Sequence, residues 1–219
     1  MKHLKITCLL AFLLVGTCLT SASAQTKADI FNESTPITWL GLDFSQTKFI
    51  GSASLYANGG QMTNAEFRDV LTVSWNELFI NEQKKYDVAK ALHRASVKYA
   101  SDVAEKANAA LTSKDFFSNS VDDFKKITEA DIANAVKNYD FKNNDGIGLI
   151  FFVEGMSKGL EKSGIWVTFV DMKSKTVLLT AYETAKPGGF GFRNYWAKPF
   201  YTLLKDISSD YYSSWKKGK

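Results

Sequence analysis

The stretch Ile147–Met156, IGLIFFVEGM, is apolar at almost every position, and two more runs of the same kind follow it. These are GIWVTFVDM at Gly164–Met172 and TVLLTAYETA at Thr176–Ala185. Each run has the length of a strand, and near-continuous apolar sequence is typical of strands that are covered on both faces. Because only Lys173–Lys175 separates the second run from the third, these two predict a β-hairpin. The sequence therefore predicts three consecutive strands here.

Upstream of this meander, strand and helix patterns alternate. A short apolar run, Ile37–Phe44, fits a buried strand. The sequences Thr63–Glu66 and Thr128–Asp131 each place a hydroxyl and a carboxylate three residues apart, which is a capping box and predicts a helix start. Residues 84–111 have a mixed pattern. Within them we interpret residues 96–106 as a strand, with a helical stripe as the alternative.

The C-terminal part predicts a final helix near Pro199, because its apolar residues recur at spacings of three and four: Phe200, Leu203, Leu204, Ile207, Tyr211 and Trp215. In chain order the elements are strand, helix, strand, helix, three strands and helix. This order predicts an α/β (mixed α+β) fold, with a mixed sheet of about four to five strands and helices packed on it. Residues 37–219 have a length that suits a single domain.

The N terminus is organised like a secretory signal peptide. Residues 1–24 combine two lysines, an apolar run over Ile6–Val15 and small residues that end at Ala24. The alternative is a lipoprotein signal that ends at Cys18, with Thr17 where a smaller residue is usual. Both interpretations predict export to the periplasm or beyond, and we interpret residues 25–36 as a flexible tether.

Cleavage after Ala24 leaves a nearly neutral chain without cysteine. The whole chain has 27 basic and 23 acidic residues; removal of Lys2 and Lys5 leaves 25 basic residues and a net charge of +2. This balance gives no electrostatic case for nucleic acid or anionic membrane as a partner. With no thiol and with His93 as the only histidine, disulfides and two-histidine zinc sites are excluded. No catalytic, cofactor or transmembrane pattern is found, so we expect a noncatalytic protein without a cofactor.

The segment Lys186–Ala197, KPGGFGFRNYWA, contains three glycines, four aromatic residues and an arginine. It lacks the lysine and hydroxyl of a phosphate-binding loop. Aromatic residues and arginine are enriched where proteins bind proteins. We therefore predict a contact surface that is formed by Phe190, Phe192, Arg193, Tyr195 and Trp196. The alternative is a structural plug at the end of the sheet, with Arg193 paired to Glu154 or Asp171.

Three acidic residues, Asp43, Glu154 and Asp171, lie near the ends of predicted strands. If the sheet brought them together, they could bind a cation or act in acid–base chemistry. Alternatively, Asp43 and Asp171 begin turns by accepting hydrogen bonds from their own backbone. Glu154 lies inside an apolar run, so it must face solvent or find a partner such as Lys158 or Arg193.

The element order, the export signal and the pairing of GIGLIFFVEGM with WVTFVDMKSKTVLL resemble the small periplasmic α/β domain of the TolB amino-terminal, LpoB and CsgG type. The C-terminal half, which closes with GFGFRNYWA, is similar to a group of uncharacterised secreted proteins of Bacteroidetes-type bacteria. The resemblance is topological over about residues 37–207 and brings no catalytic residue. It implies a location in the cell envelope and a role in protein binding.

We therefore expect an exported, noncatalytic binding or accessory protein of the bacterial cell envelope, with another envelope protein as its partner. One alternative is a periplasmic protein that binds a small ligand or a cation through its strand-end carboxylates. Another is a hydrolase that uses carboxylates alone.

Overall fold

The computed structural model describes residues 24–51 and 62–218. The predicted signal peptide, residues 1–24, lies outside these ranges except for Ala24. The chain forms one mixed sheet with helices packed on it, which confirms the predicted α/β fold class. Among the helices in these two ranges, none is both long and apolar enough to cross a membrane.

Seven strands form the sheet in this part of the chain: β1 (Ile37–Asp43), β2 (Lys48–Ile50), β3 (Lys98–Tyr99), β4 (Phe117–Ser118), β5 (Ile147–Ser157), β6 (Lys162–Asp171) and β7 (Thr176–Ala185). The central strand is β5. One of its edges pairs antiparallel with β6, and the other pairs in parallel with β1 and then with β2. Outside these two lie β3 and β4. The predicted β6–β7 hairpin is confirmed.

The α-helices are α1 (Asn64–Glu66), α2 (Thr72–Asn81), α3 (Val88–Ala91), α4 (Asp102–Ala109), α5 (Glu129–Lys137), α6 (Phe192–Asp206) and α7 (Tyr212–Lys216). A π-helical turn at Phe67–Leu71 joins α1 to α2, and another at Ile207–Tyr211 joins α6 to α7. Both predicted helix starts are found. The Thr63 hydroxyl accepts the Glu66 N–H at 3.1 Å, and a full capping box forms at Thr128.

Two hydrophobic layers lie on opposite faces of the sheet. The layer under α2 and α6 contains the fully buried rings of Trp39, Trp75 and Trp196. The layer under α4 and α5 contains Ile132 and Phe152 among others. Because helices cover both faces, β5 and β6 can be apolar at nearly every position.

The predicted strand over residues 96–106 is wrong for most of its length. Only Lys98–Tyr99 is extended, and the chain then enters α4. The helical stripe prevails because Ala104 packs closely on β1 at Gly41, where an added Cβ atom would lie 2.9 Å from the Cβ of Ala104. Small residues on both sides allow this close approach.

Residues 25–36 differ from the predicted flexible tether. Lys27–Phe31 forms a 3-10 helix, and its Ile30 side chain is fully buried. The Arg94 guanidinium donates to the carbonyl oxygens of Ile30 (2.7 Å), Glu33 (2.9 Å) and Thr35 (2.7 Å). These contacts fasten the segment to the rest of the fold.

Candidate functional site

Phe190 is the most exposed large apolar residue in the described chain, with 97% of its surface accessible. It lies between Gly189 (φ 110°) and Gly191 (φ 79°), in the connection from β7 to α6. Positive φ angles of this kind are readily adopted only by glycine. The two glycines therefore let the backbone reverse around Phe190 and present the ring to solvent.

Two backbone hydrogen bonds hold the base of this connection. The Gly188 N–H donates to the Tyr195 carbonyl oxygen at 3.0 Å, and the Tyr195 N–H donates to the Gly191 carbonyl oxygen at 2.9 Å. The Tyr195 carbonyl can accept from Gly188 because its usual helical donor would be residue 199, which is a proline without an N–H. We call residues 187–191, held in this way, the Phe190 loop.

Aromatic packing fixes the other side of the Phe190 loop. Trp196 is only 1% exposed and packs edge-on against Phe49, with ring centroids 5.3 Å apart. Phe192 is half-buried and stacks on Phe49 at 5.9 Å and on Trp75 at 6.4 Å. These rings belong to the core, as the structural-plug alternative predicts for them.

Arg193 and Tyr195 are also half-buried, at the start of α6. The Arg193 guanidinium donates to the Ser74 carbonyl oxygen at 3.2 Å, and its own carbonyl oxygen accepts from Trp75 Nε1 at 2.9 Å. Arg193 therefore joins α6 to α2 and does not pair with Glu154 or Asp171. Of the five residues predicted to form a contact surface, Phe190 is the one that faces solvent fully.

Glu154 is 1% exposed and lies at a bulge between β5 and β6. Its carboxylate accepts hydrogen bonds from the N–H groups of Lys126 and Ile127, the latter at 2.7 Å, and from Trp166 Nε1 at 2.8 Å. Neither Lys158 nor Arg193 is its partner. Glu154 thus holds the segment that leads into α5 against the sheet, an arrangement for which the sequence contains no local signal.

Asp43 is fully buried and begins a turn, as the structural alternative predicts. Its carboxylate accepts from the Ser45 N–H at 2.7 Å and from the Tyr139 hydroxyl at 2.7 Å. Burial raises the pKa of Asp43, and the hydrogen bonds from Ser45 and Tyr139 offset part of that rise. Burial, followed by the charge of Asp43, raises the pKa of Tyr139.

Lys114 contributes a cation near Asp43, and no pattern in the sequence singles it out. Its side chain is half-buried, and burial followed by the nearby Lys48 charge lowers its pKa to about 8, against the opposing effect of Asp43. Asp43, Tyr139 and Lys114 thus form a small ionisable group at the junction of β1 and β2. Because Asp43 has no exposed surface, its carboxylate is not available to a ligand from solvent.

Asp171 lies far from the other two carboxylates. It begins the β6–β7 turn by accepting from the N–H groups of Lys173 (3.0 Å) and Ser174 (3.3 Å). It pairs in register with Ile147 at the start of β5, whereas Glu154 is seven residues further along that strand, about 23 Å away at roughly 3.3 Å per residue. The structure therefore does not form the predicted carboxylate cluster.

No group of three or more His, Cys, Asp and Glu residues in the described ranges is arranged to hold a metal ion. His93 is engaged in a structural contact, since its Nε2 lies 2.7 Å from the Ser208 carbonyl oxygen. Comparison of the chain with models of protein families, with curated proteins and with solved structures finds no match. Function must therefore be inferred from the surfaces and buried groups described above.

Proposed function

We propose that this chain is an exported, noncatalytic binding or accessory protein of the bacterial cell envelope, and that it contacts a partner protein through the Phe190 loop. The observation that carries this proposal is the 97% exposure of Phe190 on an anchored loop. Full burial of a phenylalanine side chain stabilises by about 1.5–3 kcal/mol. One such ring can therefore account for roughly a tenfold to hundredfold change in affinity.

The anchoring of the loop favours binding as well. The hydrogen bonds of Gly188 and Tyr195 and the buried ring of Trp196 hold both ends of the Phe190 loop before any partner arrives. Binding by a preorganised loop loses less conformational entropy than binding by a mobile one. Aromatic anchors with these properties are common at the centres of protein interfaces.

The acidic residues support the noncatalytic part of the proposal. Asp43 and Glu154 are buried and accept hydrogen bonds from the protein itself, and Asp171 bonds to its own turn. Each of these contacts has a structural purpose, and the three carboxylates are not assembled around a cleft. The leader-like residues 1–24 and the resemblance to periplasmic α/β domains support the envelope location and the choice of an envelope protein as partner.

Affinity capture from an envelope extract of the source organism tests the proposal. The bait proteins are the wild type, Phe190→Ser and Val70→Ser, the last of which removes another exposed apolar side chain (57% exposed) from a different surface. We expect one protein to be retained by the wild type and by Val70→Ser but lost with Phe190→Ser, with all three baits equally stable to heat. Retention of the same proteins by all three baits would reject the Phe190 loop as the docking surface.

A further inference from the structure

The two edges of the sheet differ in how their backbone hydrogen-bonding groups are satisfied. At one edge the strands β3 and β4 have two residues each, and buried amides complete β1 where β3 ends. Asn76 accepts the Leu42 N–H at 2.7 Å and donates to the Leu42 carbonyl oxygen at 3.1 Å. Asn108 accepts the Phe44 N–H at 2.8 Å and also donates to Leu42. Side chains thus satisfy the backbone at this edge.

The opposite edge is β7, and it is open. This strand has ten residues and pairs only with β6 among the strands of the described ranges. Within those ranges, no other backbone or side-chain group hydrogen bonds to its backbone. It also lacks the lysine and proline residues with which natural proteins protect exposed edges. A long open edge of this kind is a template for another strand.

The pairing pattern identifies the backbone groups that face outward. The Met172 N–H donates to the Gly146 carbonyl oxygen at 3.0 Å, which sets the alternation of hydrogen-bonded pairs between β5 and β6. Alternate residues of β6 bond to β5, so the residues between them bond to β7. These are Phe169, Val167 and Ile165, which lie opposite Leu179, Ala181 and Glu183. The intervening residues of β7 direct their N–H and C=O groups outward: Thr180, Tyr182 and Thr184.

The chemistry beside this edge is acidic on the face that α6 covers, whereas on the other face the Lys125 ammonium lies 4.4 Å from the Tyr182 ring centroid. Burial raises the pKa of Glu183; a hydrogen bond from the Tyr211 hydroxyl opposes this rise, and the charge of Asp206 adds to it. Burial, followed by the charge of Asp210, raises the pKa of Asp206, against the opposing charge of Lys205. None of these three carboxylates forms a salt bridge within the described ranges. A second copy of this chain would bring the same acids towards each other, which is unfavourable. A segment with a cation is complementary to them.

We propose that β7 accepts an extended segment of the partner protein as an added β-strand, with a lysine or arginine of that segment beside Glu183. The inference rests on the proposed function, because the Phe190 loop follows β7 directly and contacts the same partner. Each of the three outward residues offers one N–H donor and one C=O acceptor to the added strand. These bonds supply affinity, and the acidic side chains select the sequence of the segment.

Amide hydrogen exchange of the free protein, followed by NMR, tests the open edge. We expect the N–H groups of Thr180, Tyr182 and Thr184 to exchange rapidly, and those of Ala181 and Glu183 to exchange slowly because they bond to β6. Slow exchange at all five amides, together with sedimentation as a dimer, would assign the edge to a second copy and overturn the inference.

A peptide library tests strand addition itself. The probes are acetylated and amidated heptapeptides of alternating threonine and varied Val, Ile or Tyr, with one lysine at a scanned position. We expect a binder that slows exchange at the three outward amides by at least tenfold. Thr184→Pro removes an outward N–H and leaves the bonds to β6 intact, so it should weaken binding at least tenfold. Glu183→Lys should weaken binding of the lysine peptide and favour a glutamate analogue, whereas Val70→Ser should bind normally.

Two results would overturn strand addition. One is a library without any binder, and the other is a binder that leaves exchange at Thr180, Tyr182 and Thr184 unchanged. The envelope capture separates this inference from the proposed function. Loss of the partner with Phe190→Ser but not with Thr184→Pro would retain the loop contact and reject strand addition. Loss with Thr184→Pro but not with Phe190→Ser would reject the loop and retain the strand.

Discussion

The Gly188 N–H donates to the carbonyl oxygen of Tyr195 at 3.0 Å, one turn before Pro199 in α6. A residue with an N–H at position 199 would supply the usual helical donor to that carbonyl. Proline cannot, and the carbonyl is left for the loop. The position of one proline in a helix thus helps to set the geometry of the exposed Phe190.

Pro199→Ala should therefore loosen the Phe190 loop without unfolding α6. We expect faster amide exchange at Gly188 and a several-fold weaker affinity for the captured partner, because the loop must then be ordered on binding. NMR exchange and a binding titration measure both effects. Unchanged exchange at Gly188 would show that the Tyr195 carbonyl serves both donors. Lys205→Ala, which changes an exposed residue further along α6, is the control.

Replacement of Trp196 and of Phe190 should change stability by very different amounts. Trp196→Ala removes a side chain that is 1% exposed and should lower the free energy of unfolding by about 3–5 kcal/mol. Phe190→Ala removes a side chain in solvent and should change it by no more than about 0.5 kcal/mol. Guanidinium denaturation followed by fluorescence measures both. A large loss with Phe190→Ala would contradict the exposed position of the ring.

Glu154→Gln should remove one of three hydrogen bonds. The amide oxygen can still accept from Lys126 and Ile127, but the amide nitrogen then faces the Nε1 donor of Trp166. A buried donor without an acceptor costs about 1–3 kcal/mol of unfolding free energy. In a Trp166→Phe background the same change should cost less, because that donor is gone. Equal costs in the two backgrounds, measured by a double-mutant cycle, would contradict the Trp166 contact.

Asp43→Asn should change the dependence of stability on pH. The pKa of Asp43 is raised from its ordinary value of 3.8, chiefly by burial, so the folded chain holds a proton that the unfolded chain releases. The contribution of Asp43 to stability therefore falls as the pH increases from 3.8 through the raised pKa. Asparagine does not titrate, so the variant should gain stability relative to the wild type over that window. Thermal melts from pH 3 to 8 measure the difference, with the surface variant Asp122→Asn as the control.

Lys114 should titrate near pH 8, since burial lowers its pKa to about 8 from 10.5. Because the pKa of Lys114 is lower in the folded chain, the unfolded chain binds more protons between about pH 8 and pH 10.5. The contribution of Lys114 to stability therefore rises with pH across this range. Asp43→Asn should lower the pKa further by removing an opposing negative charge, and Lys48→Met should raise it. NMR titration of the lysine side chains measures these shifts. A shift of the Lys114 pKa in the reverse direction in either variant would contradict the arrangement of the Lys114, Lys48 and Asp43 charges.

Much of the fold follows from local sequence patterns. The three apolar runs form β5, β6 and β7, and the sequences at Thr63 and Thr128 begin helices, because both signals depend on residues close together in the chain. The error over residues 96–106 arises where strand and helix patterns overlap. There the close packing of Ala104 on Gly41 decides the structure, and that contact joins distant parts of the chain.

The candidate site was less predictable for the same reason. The sequence selects Phe190 and Trp196 together, yet it does not show that one ring is exposed and the other buried. The partners of Glu154 are backbone N–H groups of residues 126 and 127, and a backbone group has no signature in the sequence. Tyr139 meets Asp43 only after the chain has passed through α4 and α5.

The parallel pairing of β1 with β5 has a consequence for the order of folding. Ile37 lies beside Ile147, so the first strand finds its sheet partner only after roughly 110 further residues have been made, a separation that slows folding. A ribosome-bound or partly translocated chain that lacks β5 cannot form the β1–β5 pairing, so the sheet cannot be completed around β1. If the chain is exported as we propose, late closure keeps it unfolded, and so able to pass through a translocation channel, until its last third has been made.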